Sequence, residues 1–327
     1  MGKKLNAMTN HLTYLYLLTP LHTGGSANEG NLMGIAREVH TEFPYLPASS
    51  LRGKIRSELE NRDDLNAIAG DFFGQKIKNG NQPTEGEVWF ADATLLFFPI
   101  ASLSHHLVWV TCPLWLERWS RWLGKDRQQI QKLIQTCRTH FQNTKPPKSA
   151  ITSFDCQKLY LQTALLKEPD LACKENFAPM EQILQPVTEN NGLLTSLFSK
   201  LIVLTDEDCA ALVEMGLQRE VRVALEETSK TVKGGSFRSE EAIPPEAVLF
   251  FPWGTKPARA IAVDMKQDAE KLKEAQEKAQ RKVESDSLIR NQLRELLDDR
   301  LQFGGLEGLG RGWADLKTIP SPQRGNA

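Results

Sequence analysis

The segment Phe303–Trp313 places five glycines, Gly304, Gly305, Gly308, Gly310 and Gly312, within ten residues, after an apolar stripe of Leu293, Leu296, Leu297 and Leu301. Glycine tolerates positive φ and lets another backbone approach closely, so such a run forms a tight, crowded turn rather than a regular element. Its position excludes one common use. A P-loop sets its glycines after a strand and before a helix and ends in Gly-Lys-Ser/Thr, whereas here a helix precedes and Arg311-Gly312-Trp313 leads into a predicted strand to Ile319. Nucleotide hydrolysis is therefore not expected. Two uses stay open for the glycines: a structural turn, or a cradle of backbone N–H groups for an anion.

The 327 residues suffice for one large domain, and a hydrophobic share of 40% excludes a disordered chain. Forty Lys and Arg stand against 41 Asp and Glu, so the formal charge of -1 exerts no global pull on nucleic acid, and any basic groove must be local. No apolar run reaches the roughly 18 residues of a membrane span, and no apolar signal core follows Lys3 and Lys4. A cytoplasmic location without a membrane partner is expected. The cysteines Cys112, Cys137, Cys156, Cys173 and Cys209 are scattered and never form CxxC, which argues against a disulfide framework and against a zinc site.

Along the chain, His11–Leu18 is apolar and aromatic enough for a strand that ends at Thr19-Pro20, and a Gly-rich loop from Leu21 to Gly34 follows. Ser49 and Ser50 are natural N-caps for a helix in which Leu51, Ile55 and Leu59 form one buried stripe. Arg52, Lys54 and Arg56 lie on its other faces. Val88–Ile100 and Leu107–Thr111 read as core strands, and the helical stretch Leu114–Phe141 carries Trp115, Trp119 and Trp122 on or near one face, where core packing is the expected role. Residues 145–199 lack a clear period after Lys145-Pro146-Pro147-Lys148, so 114–200 reads as a helical and irregular insertion with a peripheral second half. Arg219–Leu225, a turn at Lys233-Gly234-Gly235 and the strand Ala247–Phe251 together predict a long hairpin over 219–252. Residues 265–302 predict a charged helix leading into the Gly-rich loop. With nine basic and nine acidic residues between Met265 and Arg300, it is a solvated, pair-laced face and not a phosphate-binding tract.

Six short motifs then fall in a recognisable order. They are Leu17-Leu18-Thr19-Pro20-Leu21-His22-Thr23-Gly24-Gly25-Ser26, Arg37-Glu38-Val39-His40-Thr41, and Pro44-Tyr45-Leu46-Pro47-Ala48-Ser49-Ser50-Leu51-Arg52-Gly53. Asp92-Ala93-Thr94-Leu95-Leu96 with Phe98-Pro99 follows, then Trp109-Val110-Thr111-Cys112-Pro113 and Ser239-Glu240-Glu241-Ala242-Ile243-Pro244-Pro245-Glu246. In this order, with the closing Gly-rich loop, the chain resembles the RAMP superfamily, and within it the multi-copy backbone subunit of Cmr-type type III CRISPR effector complexes. The resemblance implies a single α+β domain over 1–327, a ferredoxin-like, RRM-type core with a protruding thumb hairpin and helical insertions. It also implies head-to-tail stacking of copies along a guide RNA, with target RNA and other type III subunits as further partners.

A subunit that holds any guide sequence must grip phosphates and avoid base edges. Ser50, Arg52, Lys54 and Arg56, at the start of a helix whose dipole favours anions, are the expected RNA-binding group. Gly304, Gly305, Gly308, Gly310 and Gly312 with Arg311 form the second expected group, as N–H donors beside one guanidinium. The family's thumb intercalates into the guide–target duplex, and here the stretch from Thr228 to Ile243 is its match.

The family's slicing subunits cut target RNA with a divalent metal and an acidic residue in the loop after the first strand. This chain departs from that pattern: alignment on Arg37-Glu38 puts Leu32 at or next to the aspartate position, and no Asp occurs between residues 1 and 62. Glu29 is the nearest carboxylate. No intrinsic cofactor or metal site is expected; a cutting subunit would use Mg²⁺ or Mn²⁺ at Glu29, with His22 as general base and Glu240 or Glu241 nearby. The alternative roles are a loop-organising histidine and solvated glutamates. The main expectation is an RNA-binding backbone protein, the alternative a metal-dependent endoribonuclease.

Near-zero net charge removes the repulsion that keeps copies apart. The isolated protein is expected to self-associate at low salt, seen by light scattering as species heavier than 36.8 kDa; a clean monomer at high concentration would contradict this.

Overall fold

The N-terminal apolar run, strand β1 (Asn10–Leu17), is hydrogen-bonded along both edges and covered on both faces. The computed structural model describes residues 10–25, 28–29, 32–62, 66–75, 86–162, 164–188, 194–233, 236–256 and 287–320. After β1 come the short strands β2 (Asn28–Glu29), β3 (Leu32–Met33) and β4 (Tyr45–Leu46), and the helices α1 (Ala48–Glu60) and α2 (Asn66–Phe73). Strands β5 (Val88–Phe90), β6 (Ala93–Ser102) and β7 (His106–Thr111) lead into helices α3 (Pro113–Ser120) and α4 (Arg127–Asn143). Next are β8 (Ala150–Thr152), β9 (Lys158–Leu161), β10 (Ala164–Lys167), β11 (Leu171–Ala172), α5 (Ala178–Thr188), β12 (Leu201–Leu204) and α6 (Asp206–Gly216). The chain closes with β13 (Gln218–Arg222), β14 (Arg238–Ala242), β15 (Val248–Thr255), helix α7 (287–296), β16 (Arg300–Gln302) and β17 (Trp313–Pro320).

One 11-stranded sheet runs β11-β8-β12-β7-β6-β15-β1-β17-β16, with β4 beside β6 and β5 beside β15. Its inner strands β17-β1-β15-β6 are antiparallel throughout. In the chain they occur as β1, α1, β6, β15, α7, β17, the split βαβ arrangement of a ferredoxin-like core. The α+β fold implied by the motifs is therefore the one observed.

Alternation along β1 sends Leu15 and Leu17 to one face, where Leu51 and Ile55 of α1, Ile289 and Leu293 of α7, and Leu297 just after it cover them. Leu12, Tyr14 and Tyr16 go to the other face, under Leu116 and Trp119 of α3 and Ile130 and Ile134 of α4. Burial on both sides is the reason the strand reads as a nearly continuous apolar run. Of the polar exceptions, His11 stacks on Trp253 with neither ring nitrogen hydrogen-bonded, whereas Thr13 is paired. The Trp253 indole N–H donates to Thr13 Oγ1 at 2.8 Å, Thr13 and Thr318 hydroxyls lie 2.8 Å apart, and Thr318 donates to the Leu297 carbonyl at 3.0 Å. With Thr318's proton on Leu297, Thr13 must donate to Thr318, so a one-way relay joins β15, β1, β17 and the end of α7. On the opposite face the Trp119 indole donates to the Tyr14 hydroxyl at 2.8 Å.

Several expectations need correction. The Leu114–Phe141 helix is two helices, separated at Gly124, whose φ of 54° leaves the helical region. Trp115 and Trp119 are buried, in keeping with a packing role. The 145–199 stretch is not peripheral: β8 pairs with β12 and β11, and Ala150, Ile151 and Thr152 are buried in the main sheet. The partner of β13 is not Ala247–Phe251 but β14, in register Gln218↔Ala242 to Arg222↔Arg238. All eight residues of β15 are buried, which suits the sheet centre and not a projecting hairpin. Of the charged helix over 265–302, residues 265–286 lie outside the described residues; α7 ends at 296, and β16 intervenes before the Gly-rich turn. No helix among the described residues is long and apolar enough to cross a membrane.

Thr13→Val leaves the Trp253 N–H without an acceptor and Thr318 without its donor in a buried setting. A loss of about 1–3 kcal/mol of unfolding free energy is expected, seen as a lower denaturant midpoint at unchanged slope.

Candidate nucleic-acid interface

The loop after β1, the Gly-rich turn and a four-stranded ribbon, β13-β14-β3-β2, meet at one end of the inner sheet. Leu21 bridges to Ile243 and His22 to Gly305. The Gly305 N–H donates to the His22 carbonyl at 2.8 Å, the Gly312 N–H to Pro20 at 2.9 Å, and the Phe303 N–H to Gly312 at 2.8 Å. Gly304 and Gly312 have φ of 82° and 81°. A Cβ at Gly304 would collide with the His22 carbonyl oxygen, and one at Gly312 with that of Phe303. The glycines therefore serve close backbone contact. As an anion cradle the turn is corrected in part, since the N–H groups of Gly305, Gly310 and Gly312 are all donated internally. Gly308 faces open space.

Arg311 does not stand beside an anion cradle either. It is 4% exposed and pairs with Glu220 at 2.7 Å and Glu240 at 3.6 Å, while Arg222 approaches Glu240 at 2.9 Å. Neighbouring Glu241 lies on the other face of β14, 2% exposed, with Arg37 at 2.9 Å and Arg219 at 3.1 Å. Glu214 on α6 pairs with the same two arginines, at 2.6 and 2.5 Å. Burial works against charge in this group, yet the bonds and charges from opposite partners outweigh it. They hold the pKa of Arg37 and Arg219 above, and that of Glu214 below, the ordinary value. Glu240 and Glu241 are thus not solvated; each belongs to a four-membered cluster of two arginines and two glutamates that fastens the ribbon to the core. His22 is buried, with Nδ1 2.8 Å from the Glu241 carbonyl oxygen, the geometry of the loop-organising role. Glu29 sits on β2, the outer strand of the ribbon, opposite Leu32. Among the described residues no group of three or more His, Cys, Asp or Glu could hold a metal ion.

Pro47 holds the N-cap position of helix α1 without a side-chain capping bond, so neither Ser49 nor Ser50 is the cap; the Ala48 N–H donates to Asp92 Oδ1 at 2.7 Å. Its dipole thus already meets an exposed carboxylate of the same chain, which the sequence reading missed although Asp92 heads one of the motifs. Arg52 is not a free phosphate clamp. It donates to the Val88 carbonyl at 2.7 Å and the Phe73 carbonyl at 2.9 Å, and lies over the Phe73 ring at 5.1 Å. Burial and the neighbouring Arg56 charge lower its pKa. Lys54 and Arg56 differ: they make i,i+4 pairs with Glu58 at 2.9 Å and Glu60 at 2.8 Å. Such surface pairs are worth about 0.3–0.5 kcal/mol, little enough for a phosphate to compete. Ser50 is half-buried in the first turn. At the far end of the ribbon, Val221, Val223, Leu225, Val232 and Phe237 are exposed apolar side chains. The Val221-x-Val223-x-Leu225 alternation was the sequence signal for that row.

The sequence profile of the RAMP superfamily matches residues 14–315, from the second half of β1 past the Gly-rich turn. The chain belongs to the RAMP superfamily. Within it, the Cmr endoribonuclease Cmr4 of Pyrococcus furiosus is 26% identical over 316 residues, 94% of this chain and 94% of the relative. The crystal structure of oligomeric Cmr4 from Pyrococcus furiosus superposes with a TM-score of 0.62 at 22% identity, covering 97% of this chain and 100% of that one. A chain of the Type III-B Cmr-beta complex bound to cognate target RNA, solved by cryo-EM, gives a TM-score of 0.66 at 21% identity, covering 94% and 96%. The RAMP core is shared with both.

Gly312→Ala combines a left-handed φ with a backbone collision, and is expected to cost at least about 1–2 kcal/mol. Gly308→Ala, in open space, is expected to be nearly neutral. Thermal denaturation of the two variants side by side checks the difference, and equal midpoints would contradict the close-contact role.

Proposed function

We propose that this chain is a backbone subunit of a Cmr-type type III CRISPR ribonucleoprotein, which binds guide RNA along its phosphates and shapes the guide–target RNA duplex in antiviral defence. The observation that carries the reading is end-to-end alignment with Cmr4, 94% of each chain, inside a family match that spans the core. Its partners are guide RNA, target RNA, further copies of itself or related subunits, and the other type III subunits. Assembly on guide RNA places it in the cytoplasm.

The residues support this role by separate routes. Lys54 and Arg56 give sequence-independent grip, because their present carboxylate partners are weak surface pairs. The ribbon, locked at its base by the two ion clusters, presents Val221, Val223, Leu225, Val232 and Phe237, and apolar side chains of this kind wedge between stacked bases. A scaffold of this type needs no cofactor. The cutting alternative would enlist Glu29 with Mg²⁺ or Mn²⁺, and it is not favoured: Glu240 and Glu241 are neutralised by arginines, and His22 is held by the Glu241 carbonyl.

Guide RNA titrations over a salt series test the reading. Lys54→Ala with Arg56→Ala is expected to weaken binding and flatten the log–log salt slope by about 1.4, two single-strand phosphate contacts at about 0.7 each. An unchanged slope would overturn the grip assigned to α1. In the assembled complex, Glu29→Ala is expected to leave any divalent-metal-dependent cutting of complementary RNA as it was, whereas its disappearance would make the chain a nuclease.

A further inference from the structure

Helices α3 and α4 pack on the sheet face opposite α1, and between them opens a cavity of about 360 Å³. That is a size within the range of small-ligand pockets. Its wall is basic. Arg121 comes from the end of α3, and Arg127, Gln131, Gln135 and Arg138 recur on one face of α4 at helical spacing. Glu117 is the acidic residue of the lining, and it is engaged by Arg138 at 2.7 Å in a half-exposed pair. Three guanidiniums against one carboxylate leave a formal charge of +2, and Arg121 and Arg127 have no carboxylate partner among the described residues.

The placement of Arg127 adds to the case. It occupies the first turn of a 17-residue helix, where the dipole disfavours a cation; that turn has no acidic residue, and the Asp126 side chain makes no capping bond. Guanidinium forks match a tetrahedral oxyanion, which offers acceptors to more than one arginine at once, better than they match a carboxylate already shared. The two glutamine amides add neutral donors and acceptors to the lining.

We infer that the α3–α4 cavity, through Arg121, Arg127 and Arg138, is a binding site for a phosphate dianion carried by a small ligand or a chain end. The site is separate from α1 and the ribbon, so it stands or falls independently of guide binding. Inorganic phosphate, a nucleoside monophosphate and a 5′-phosphorylated RNA end share the required chemistry.

Isothermal titration of the RNA-free full chain with sodium phosphate, AMP, adenosine, and a trinucleotide with 5′-phosphate or 5′-hydroxyl tests the inference. Saturable binding is expected for the phosphorylated probes and at least tenfold weaker binding for adenosine and the 5′-hydroxyl trinucleotide. The tightest of the phosphorylated probes identifies the source. Arg121→Ala with Arg127→Ala is expected to weaken phosphate or AMP binding at least tenfold, and the exposed control Lys167→Ala to leave it unchanged. Arg121→Lys with Arg127→Lys, which keeps the positive charge, is expected to recover part of the loss. No saturable phosphate binding, equal binding of phosphorylated and unphosphorylated probes, or undiminished binding in a folded double-alanine variant would each overturn the site.

Discussion

The molecule depends on the full enclosure of β1. Its two edges are paired with β15 and β17, and its two faces are covered by different helix layers. A strand in that position has no solvent side, so every second residue must suit a different core, and the few polar side chains must be satisfied internally. The Trp253–Thr13–Thr318–Leu297 relay meets that requirement for Thr13 across three strands and the end of α7, whereas His11 is stacked on Trp253 without a hydrogen-bond partner. It also ties β1 to β17 and to the end of α7, elements far apart in the chain that together close the ferredoxin-like core.

Once β1 is so held, its exit loop is fixed in space, and the Gly-rich turn can settle against it. Gly304 and Gly312 permit this because neither has a Cβ to strike the carbonyls of His22 and Phe303. The ribbon is added by charge rather than by apolar packing. Glu240 and Glu241, adjacent in sequence and opposite across the strand, each take arginines from different parts of the chain. Burial of such charges is unfavourable unless all are matched, and the two clusters are balanced within themselves. A ribbon anchored this way has a rigid base while its tip stays clear of the core and open to a partner.

Legibility from sequence divided along physical lines. The strand His11–Leu18, the Leu51–Ile55–Leu59 stripe and the core strands before Thr111 were visible because periodic burial leaves a local trace. The hairpin partner was misjudged because alternation marks a strand but not its neighbour: β14 and β15 are both plausible in length, and only the complete burial of β15 separates them. The insertion was misjudged for a related reason, as β8 and β11 are 3 and 2 residues long and too short to show a period. At the interface, Arg52 looked like a phosphate ligand since a guanidinium is conspicuous in sequence, while the carbonyls of Phe73 and Val88 that bind it are not.

By itself the sequence determined the family, through six motifs in order, and with it the α+β class and the expectation of RNA. Such motifs survive because short segments of backbone must adopt one local shape, and local shape is written in local residues. Only the tertiary structure decided which charges are free. Lys54 and Arg56 pair with carboxylates one turn away on their own helix, whereas Arg52, Arg311, Glu240 and Glu241 are consumed inside the fold. Whether a charge meets solvent or a buried partner is set by contacts between residues far apart in the chain, for which no local pattern exists.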